Sequence, residues 1–364
     1  MRQGDDPPIP TRPAGPLTAL HAKGTNLRRR QFPAQHPPGL WQVYADLIRK
    51  RSALYILVAI CTPVLNGAQY LKEALDSVQA QTYPNLVHVV SDNASTDETA
   101  EILARYRNAR VPVVTSRAAV VLPQMANWNR ALDLAPHQAR WVRLLCADDR
   151  IRPDTIARAT ALGESNPAIG LVGCGQFRNE TIENMRWGAE PLVLDGHEAC
   201  RRYFEYQGSL MGPHMLVRRD LVYAKGRPFD ETLVLADNDM CLRVLQDAAF
   251  AFDPEPLGFT REHDAAISRD VISRRKLHFL EWLIYMDRYG PNVYPPDRFR
   301  ELRRTYLRHY VRRMLTWPAD VRALHLRRLS DYGVRIGATN RLDALVNWVG
   351  KRLRLQDAWV GYPF

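Results

Sequence analysis

Carboxylates that follow short apolar runs are the residues in this chain whose types and spacing could do chemistry. In Trp141-Val-Arg-Leu-Leu-Cys-Ala-Asp-Asp-Arg150, Trp141 to Cys146 reads as a short buried strand, and it delivers two adjacent carboxylates, Asp148 and Asp149. Ligands of open α/β sheets sit in the crevice at the carboxyl ends of the strands. Carboxylates placed there can hold a hard divalent cation through oxygen, with the cation's charge turned toward a phosphate. A solvated turn also favours Asp, so the pair alone decides nothing. A second run, Leu86-Val-His-Val-Val-Ser91, ends in Asp92, a carboxylate able to accept an N–H from a nucleotide base. Beyond it, Ser95 or Thr96 can cap a helix, and Asp97 and Glu98 suit that helix's positive N-terminal end.

Such carboxylates are useful only if a sheet holds them, and the chain predicts one. Leu54 to Cys61 is a continuous apolar run rich in β-branched residues, the pattern of a parallel strand buried on both faces. Thr62-Pro63 and Asn66-Gly67 break it, and Tyr70, Leu71, Ala74, Leu75 and Val78 then recur at helical spacing. A strand over 86–91, a helix over 96–106 and a strand over 111–115 continue the alternation. Right-handed βαβ crossovers and a mostly parallel, twisted α/β sheet flanked by helices follow. No G-x-G-x-x-G follows the first strand and no G-x-x-x-x-G-K-[ST] occurs anywhere, which argues against a dinucleotide-binding domain and a P-loop.

The chain has 364 residues, enough for two or three units, and its net charge is +11. That charge lies at the two ends, while the middle is mildly acidic. A nucleic-acid protein would carry its basic footprint on the folded domain, so no nucleic-acid partner is expected, and an anionic membrane surface fits the basic flanks better. The longest apolar run, 53–61, is far short of the roughly 20 residues of a membrane helix. The polar, Pro-rich start does not resemble a secretory signal. Five cysteines without a C-x-x-C pair read as reduced, mostly buried thiols of a cytoplasmic protein. Residues 1–50, Pro-rich with Arg28-Arg29-Arg30, read as a disordered tail, either solvated or touching anionic lipid.

Several stretches together resemble the family 2 glycosyltransferases, which have the GT-A fold. They are Val58-Ala-Ile-Cys-Thr-Pro-Val-Leu-Asn-Gly67, Ala74-Leu-Asp-Ser-Val-Gln-Ala-Gln-Thr-Tyr-Pro84, Ser91 to Asp97, Asn127-Trp-Asn-Arg-Ala-Leu132 and Leu144 to Asp149. Phe229-Asp-Glu231, Ala236-Asp-Asn-Asp239 and Arg261-Glu-His263 with Ser268 follow in the family's order. The resemblance implies a domain over 51–268 that moves a sugar from a nucleotide-diphosphate donor, a UDP-sugar favoured, to an acceptor hydroxyl with inversion. It implies Thr62, Pro63, Asn66, Asp92 and Asn127 as nucleotide-binding residues. Asp148 would hold Mn²⁺ or Mg²⁺, Asp149 and His263 would meet the donor sugar or diphosphate, and Asp237 would be the catalytic base. Two departures stand out: Cys146 replaces the first Asp of the family's D-x-D signature, and Ala236 replaces the Glu of its Glu-Asp pair.

These residue types suit the chemistry. Negative charge develops on the departing diphosphate, where a cation and a donor such as His263 stabilise it. The attacking hydroxyl loses a proton to one carboxylate, help of roughly 10²–10⁴-fold. Asp239, in the same first turn as Asp237, is read as serving only the helix. Cell-surface glycan synthesis on a glycan or lipid-linked acceptor is the expected setting. A catalytically inactive, donor-binding partner subunit is the non-enzyme alternative. A sugar-1-phosphate nucleotidyltransferase is the alternative enzyme, though Thr62 to Gly67 lacks the basic residue its phosphate loop would need. From 269 onward the texture becomes Arg-rich and helical: Leu302, Tyr306, Tyr310 and Met314 keep helical spacing, as do Leu342, Leu345, Val349 and Leu353. Two readings are open for this basic extension, a helical appendage with a solvated face or a peripheral dock on an anionic inner leaflet.

Overall fold

The computed structural model describes residues 55–183, 185–263 and 269–337. The expected tail over 1–50, Ser268 and the apolar repeat at 342–353 therefore lie outside the described residues. The first half alternates strand and helix: β1 (Val58–Val64), α1 (Leu71–Gln79), β2 (Leu86–Asp92), α2 (Thr99–Ala104), β3 (Val113–Arg117), α3 (Gln124–Asp133) and β4 (Trp141–Leu144). After the two-residue β5 (Arg150–Ile151) come α4 (Thr155–Glu164), β6 (Ile169–Arg178), β7 (Thr181–Glu183), β8 (Leu192–Leu194) and α5 (Gly196–Phe204). Then follow β9 (Leu216–Arg218), α6 (Arg219–Tyr223), α7 (Ala236–Val244), β10 (Ala249–Thr260), α8 (His278–Val293), α9 (Pro296–Met314) and α10 (Ala319–Asp331).

All strands join one sheet, ordered β3-β2-β1-β4-β9-β6-β10-β5, with β7 on β6 and β8 on β10. β1 pairs in parallel with both β2 and β4, and β2 with β3. β9 runs antiparallel between β4 and β6, and β6 pairs in parallel with β10. Two reversals restore the direction, so β1 to β4, β6 and β10 all end at one edge. The expected alternation and mostly parallel sheet are both present.

The central strands are covered on both faces, and the period of two in a strand decides which residue meets which layer. Val58 and Ile60 of β1 pack with Ala74 and Val78 of α1 and with Ile156 of α4. Ala59 and Cys61, one step out of phase, pack with Met125, Ala131 and Leu132 of α3. A strand buried on both faces must be apolar at every position, hence the unbroken run in the sequence.

The C-terminal helices belong to the same core. Phe279, Leu283, Tyr306, Tyr310, Met314 and Tyr332 share one apolar cluster with Ala59, Leu144 and Phe252. The apolar stripe of α9 (Leu302, Tyr306, Tyr310, Val311, Met314) therefore faces inward and is buried. An interfacial helix needs that stripe for lipid, so what these helices leave outside is mainly charge. Of that charge, Arg303 is already bound by both nitrogens to Asp287, at 2.5 and 2.9 Å. Among the described residues no helix is long and apolar enough to cross a membrane. All five cysteines are free, four of them buried.

Candidate active site

The acidic turn leaves β4 at the edge where the parallel strands end. Leu145 donates its N–H to Cys61 O at 3.0 Å, and Asp149 N to Cys146 O at 3.1 Å, so the turn is closed by its own backbone. The end of β10 meets it from the other side. The N–H of Arg261 donates to Asp149 Oδ1 (3.0 Å), and Arg261 Nε donates to the carbonyl of Asp148 (3.1 Å). Two residues on, His263 Nε2 lies 3.0 Å from Asp148 Oδ2. Antiparallel pairing of β5 with Gly258 and Phe259 of β10 sets this register, so residues more than a hundred positions apart in the chain become neighbours.

The ligand atoms of Cys146, Asp148 and Asp149 lie within 4.8 Å of one another. Burial, and after it the charge of Asp148, pushes Asp149 up to about 7. Burial raises the Cys146 thiol well above its usual value, and the carboxylates of Asp149, Asp148 and Asp237 raise it further. A protonated thiol is a poor ligand for a hard cation, whereas two crowded carboxylates gain by sharing one. The residues therefore fit a hard divalent cation held through the carboxylates, with Cys146 serving as a neutral wall. Beneath the turn, Arg143 of β4 is fully buried. Its Nη1 donates to His214 O at 3.3 Å, and its charge partly offsets the shift of Asp149.

Asp237 opens α7, and its charge raises the Cys146 thiol only after burial and the carboxylates of Asp149 and Asp148. Its Oδ2 accepts the N–H of Gly212 at 3.1 Å. A Cβ on Gly212 would lie 2.6 Å from the Cβ of Asp237, so only glycine permits that approach. Burial raises the carboxyl of Asp237 above its ordinary range. Asp239, one turn face away, bonds Arg288 Nη1 and Tyr289 Oη of α8, both at 2.8 Å. Its role is thus an interhelical ion pair rather than a contact with its own helix's dipole. The Pro213-His214 step, brought near Asp237 through the Gly212 contact, turns inward. His214 Nε2 lies 2.6 Å from Thr260 Oγ1, and burial, with the Arg143 charge next, pushes its pKa down to about 3.

The residues at the ends of β1 and β2 form a second group. Asp92 is buried, accepting from Arg117 Nη1 at 2.7 Å and from Ser95 N at 2.9 Å. Asn66, in the left-handed region at φ 51°, accepts from Thr96 N (2.8 Å) and donates its own N–H to Ser95 Oγ (2.9 Å). Asn127 Oδ1 accepts from Ser91 Oγ at 2.7 Å. Thr62 and Pro63 are buried, and the Thr62 hydroxyl faces His88 Nε2 at 2.8 Å, leaving that side chain turned into the sheet. The cap expected from Ser95 or Thr96 is not made: Glu98 stands at the N-cap position without a side-chain cap bond, and Asp97 before it binds backbone on both sides. Its Oδ1 takes Thr99 N, while its Oδ2 takes Ala68 N from the β1 loop.

Asp148, Asp149 and His263 are thus assembled around one turn, with Asn66, Asp92 and Asn127 along the neighbouring strand ends, while Asp237 meets Gly212. Three contributors went unassigned in the sequence: Arg261, Arg117 and Glu281. Arg261 sat inside a quoted motif, and Arg117 closes a strand at the correct edge. Glu281, in the first turn of an amphipathic helix, had an ordinary local explanation in that helix's dipole.

Fold and edge together define an α/β enzyme of the GT-A type, with its acidic residues at the carboxyl ends of parallel strands. The solved structure of Staphylococcus aureus TarS (residues 1–349, in complex with UDP) superposes with a TM-score of 0.60 at 15% identity, covering 83% of this chain and 93% of that one. The mannosyltransferase PcManGT of Pyrobaculum calidifontis, in complex with GDP-Man and Mn²⁺, gives a TM-score of 0.52 at 17% identity, covering 87% and 88%. Residues 59–224 match the model of glycosyl transferase family 2. A glycosyltransferase of Rickettsia prowazekii, itself uncharacterized, is 50% identical over 223 residues, which is 60% of this chain and 68% of that one. The abequosyltransferase RfbV of Salmonella typhimurium is 33% identical over 152 residues, 39% of this chain and 45% of that one. The chain belongs to glycosyltransferase family 2, and it is a glycosyltransferase rather than a nucleotidyltransferase.

Proposed function

We propose that this enzyme moves a sugar from a nucleoside-diphosphate donor to an acceptor hydroxyl with inversion, in the synthesis of a cell-surface glycan. The observation that carries the reading is the cluster of Asp148, Asp149 and His263 at the turn beyond β4. Asp148, with Asp149 behind it, would hold Mn²⁺ or Mg²⁺, and the bound cation would stabilise charge on the departing diphosphate. Asp237 takes the proton of the attacking hydroxyl; burial makes this carboxylate a stronger base than a solvated one. His263 holds Asp148 in place and can donate toward the diphosphate. A single displacement by the hydroxyl that Asp237 deprotonates gives inversion at the anomeric carbon.

Asn66, Asp92 and Asn127, with the backbone of Thr62 and Pro63, form the nucleotide side. The Asp92 carboxylate is already ordered by Arg117 and Ser95, a preorganised acceptor for a base N–H. The complex of TarS with UDP-GlcNAc favours a UDP-sugar, and the complex of PcManGT with GDP-Man and Mn²⁺ keeps a cation in the scheme. The abequosyltransferase relative and the mycobacterial "PGL/p-HBAD biosynthesis" relatives support a glycan or lipid-linked acceptor. Work on such an acceptor sets the enzyme at the cytoplasmic face of a membrane, touched peripherally through the basic ends.

The decisive experiment is a thermal-shift screen of UDP-, GDP- and dTDP-sugars with and without Mn²⁺, followed by assay of donor hydrolysis. A ligand that binds only the folded state raises its melting temperature. One nucleotide class should do so, and more strongly with Mn²⁺. No shift with any donor, with or without the cation, sinks the reading.

A further inference from the structure

α8 carries Glu281, Tyr285, Arg288 and Tyr289, residues spaced so that they share one helix face. All four side chains bond to α7 or to the segment leading into it. Glu281 is buried and accepts two backbone N–H groups, Oε1 from Val234 and Oε2 from Leu235, each at 2.7 Å. The Tyr285 hydroxyl lies 2.6 Å from Leu235 O and 3.0 Å from Glu281 Oε2. Arg288 spans Asp239 and Asp230, at 2.8 Å each, and Tyr289 Oη donates to Asp239 Oδ1.

α7 begins with Ala236 after Leu235, and no side chain of its own caps its first turn. The amides just before that turn are instead bound by a carboxylate from another helix, two residues from Asp237. The bonds to Val234 and Leu235 thus bring the Glu281 carboxylate to within two residues of Asp237 along the chain, and burial raises it to about 7. Burying a second carboxylate beside the first is costly for a purely structural contact. Its two bonds hold the backbone that leads into the turn from which Asp237 meets Gly212 N.

We propose that Glu281 is a positioning residue for Asp237: it binds the Val234 and Leu235 amides and so holds the first turn of α7 in the geometry that transfer requires. The C-terminal helices are then part of the transfer machinery. This rests on Asp237 being the base.

The test uses the full chain with Mn²⁺ and either UDP-GlcNAc or GDP-mannose, whichever turns over. Glu281→Gln places an amide donor against one of the two backbone N–H groups. It should lower kcat roughly tenfold, in line with the sensitivity of such reactions to small misplacement, while donor KM stays within about twofold. If Glu281→Gln does not fold, Tyr285→Phe decides. That variant removes the hydroxyl bond that orients Glu281 Oε2 and also frees Leu235 O, so it loosens the hold on the amides and should lower kcat severalfold at unchanged KM. Wild-type kcat in the deciding variant overturns the proposal, as does a parallel loss of kcat and donor affinity. Asp237→Asn separates the two readings. If it turns over normally, the base assignment falls; if it is inactive while the deciding variant is normal, only the positioning role falls.

Discussion

The two groups of polar residues at the sheet's edge are built on opposite electrostatic plans. Along β1 and β2 each polar group is matched within the group: Asp92 has Arg117 and Ser95, Asn66 has Thr96, and Asn127 has Ser91. Around the acidic turn the bonds come instead from backbone N–H groups, of Arg261 to Asp149 and of Gly212 to Asp237. Asp149 and Asp237 are both pushed upward by burial, and Asp148 shares its oxygen with a single imidazole. A matched group holds its shape before any ligand arrives, which suits recognition. An unmatched one is stabilised by the arrival of positive charge and can take up a proton, which suits transfer. The fold keeps the two plans apart by giving them different strands of the same edge.

The comparison can be broken most sharply at Asp237. Asp237→Asn should lower turnover by roughly 10²–10⁴-fold while leaving the nucleotide's Kd nearly unchanged in a titration of the free nucleotide. Weakened nucleotide binding would instead make the two groups one. His263→Ala comes next: losing the partner that orients Asp148 should weaken Mn²⁺ roughly 10–100-fold. Isothermal titration reads this, and an unchanged affinity would remove His263 from the cation side. Arg117→Ala should have the reverse signature. An exposed ion pair is worth little, but here Asp92 is buried, so leaving it unpaired costs about 1–3 kcal/mol. The urea midpoint should fall while kcat at saturating donor holds.

Smallest is a pH effect shared by both groups. His88 below β1 and His214 below the acidic turn are buried and pushed down to about 3. Their unfolded forms titrate near 6.5, so below that value the unfolded chain binds more protons and stability falls with pH. The contribution is whole above about pH 6.5 and is lost progressively toward pH 3. Between pH 7 and 6 each should cost roughly 0.7 kcal/mol, seen as a lower melting temperature. His88→Gln should flatten part of that slope, and an unchanged slope would mean the ring is charged in the folded state.

Much of this was legible before any coordinates. A strand buried on both faces has no choice but continuous apolar residues, so β1, β2 and β4 announced themselves. Chemistry at the edge of such a sheet needs side chains just past a strand's end, so Asp92, Asp148 and Asp149 could be picked out by position. Asp239 was harder. An acidic residue in a helix's first turn has an ordinary local explanation, and only the approach of Arg288 and Tyr289 gives it another. The arginine-rich C-terminal stretch read equally well as appendage or membrane dock. Its apolar stripe fits either, and only the neighbour it packs against distinguishes them.

The division follows from the range of the forces involved. Hydrophobic periodicity, turn chemistry and the order of motifs act over a few residues, so the sequence by itself determined the strand-and-helix alternation, the family and the main acidic residues. Which carboxylate meets which partner depends on pairings across long stretches of chain, set by sheet register and by how helices pack. Tertiary structure alone therefore joined Arg261 and His263 to the acidic turn, turned His214 inward, and brought Glu281 of a distant helix onto the amides beside Asp237.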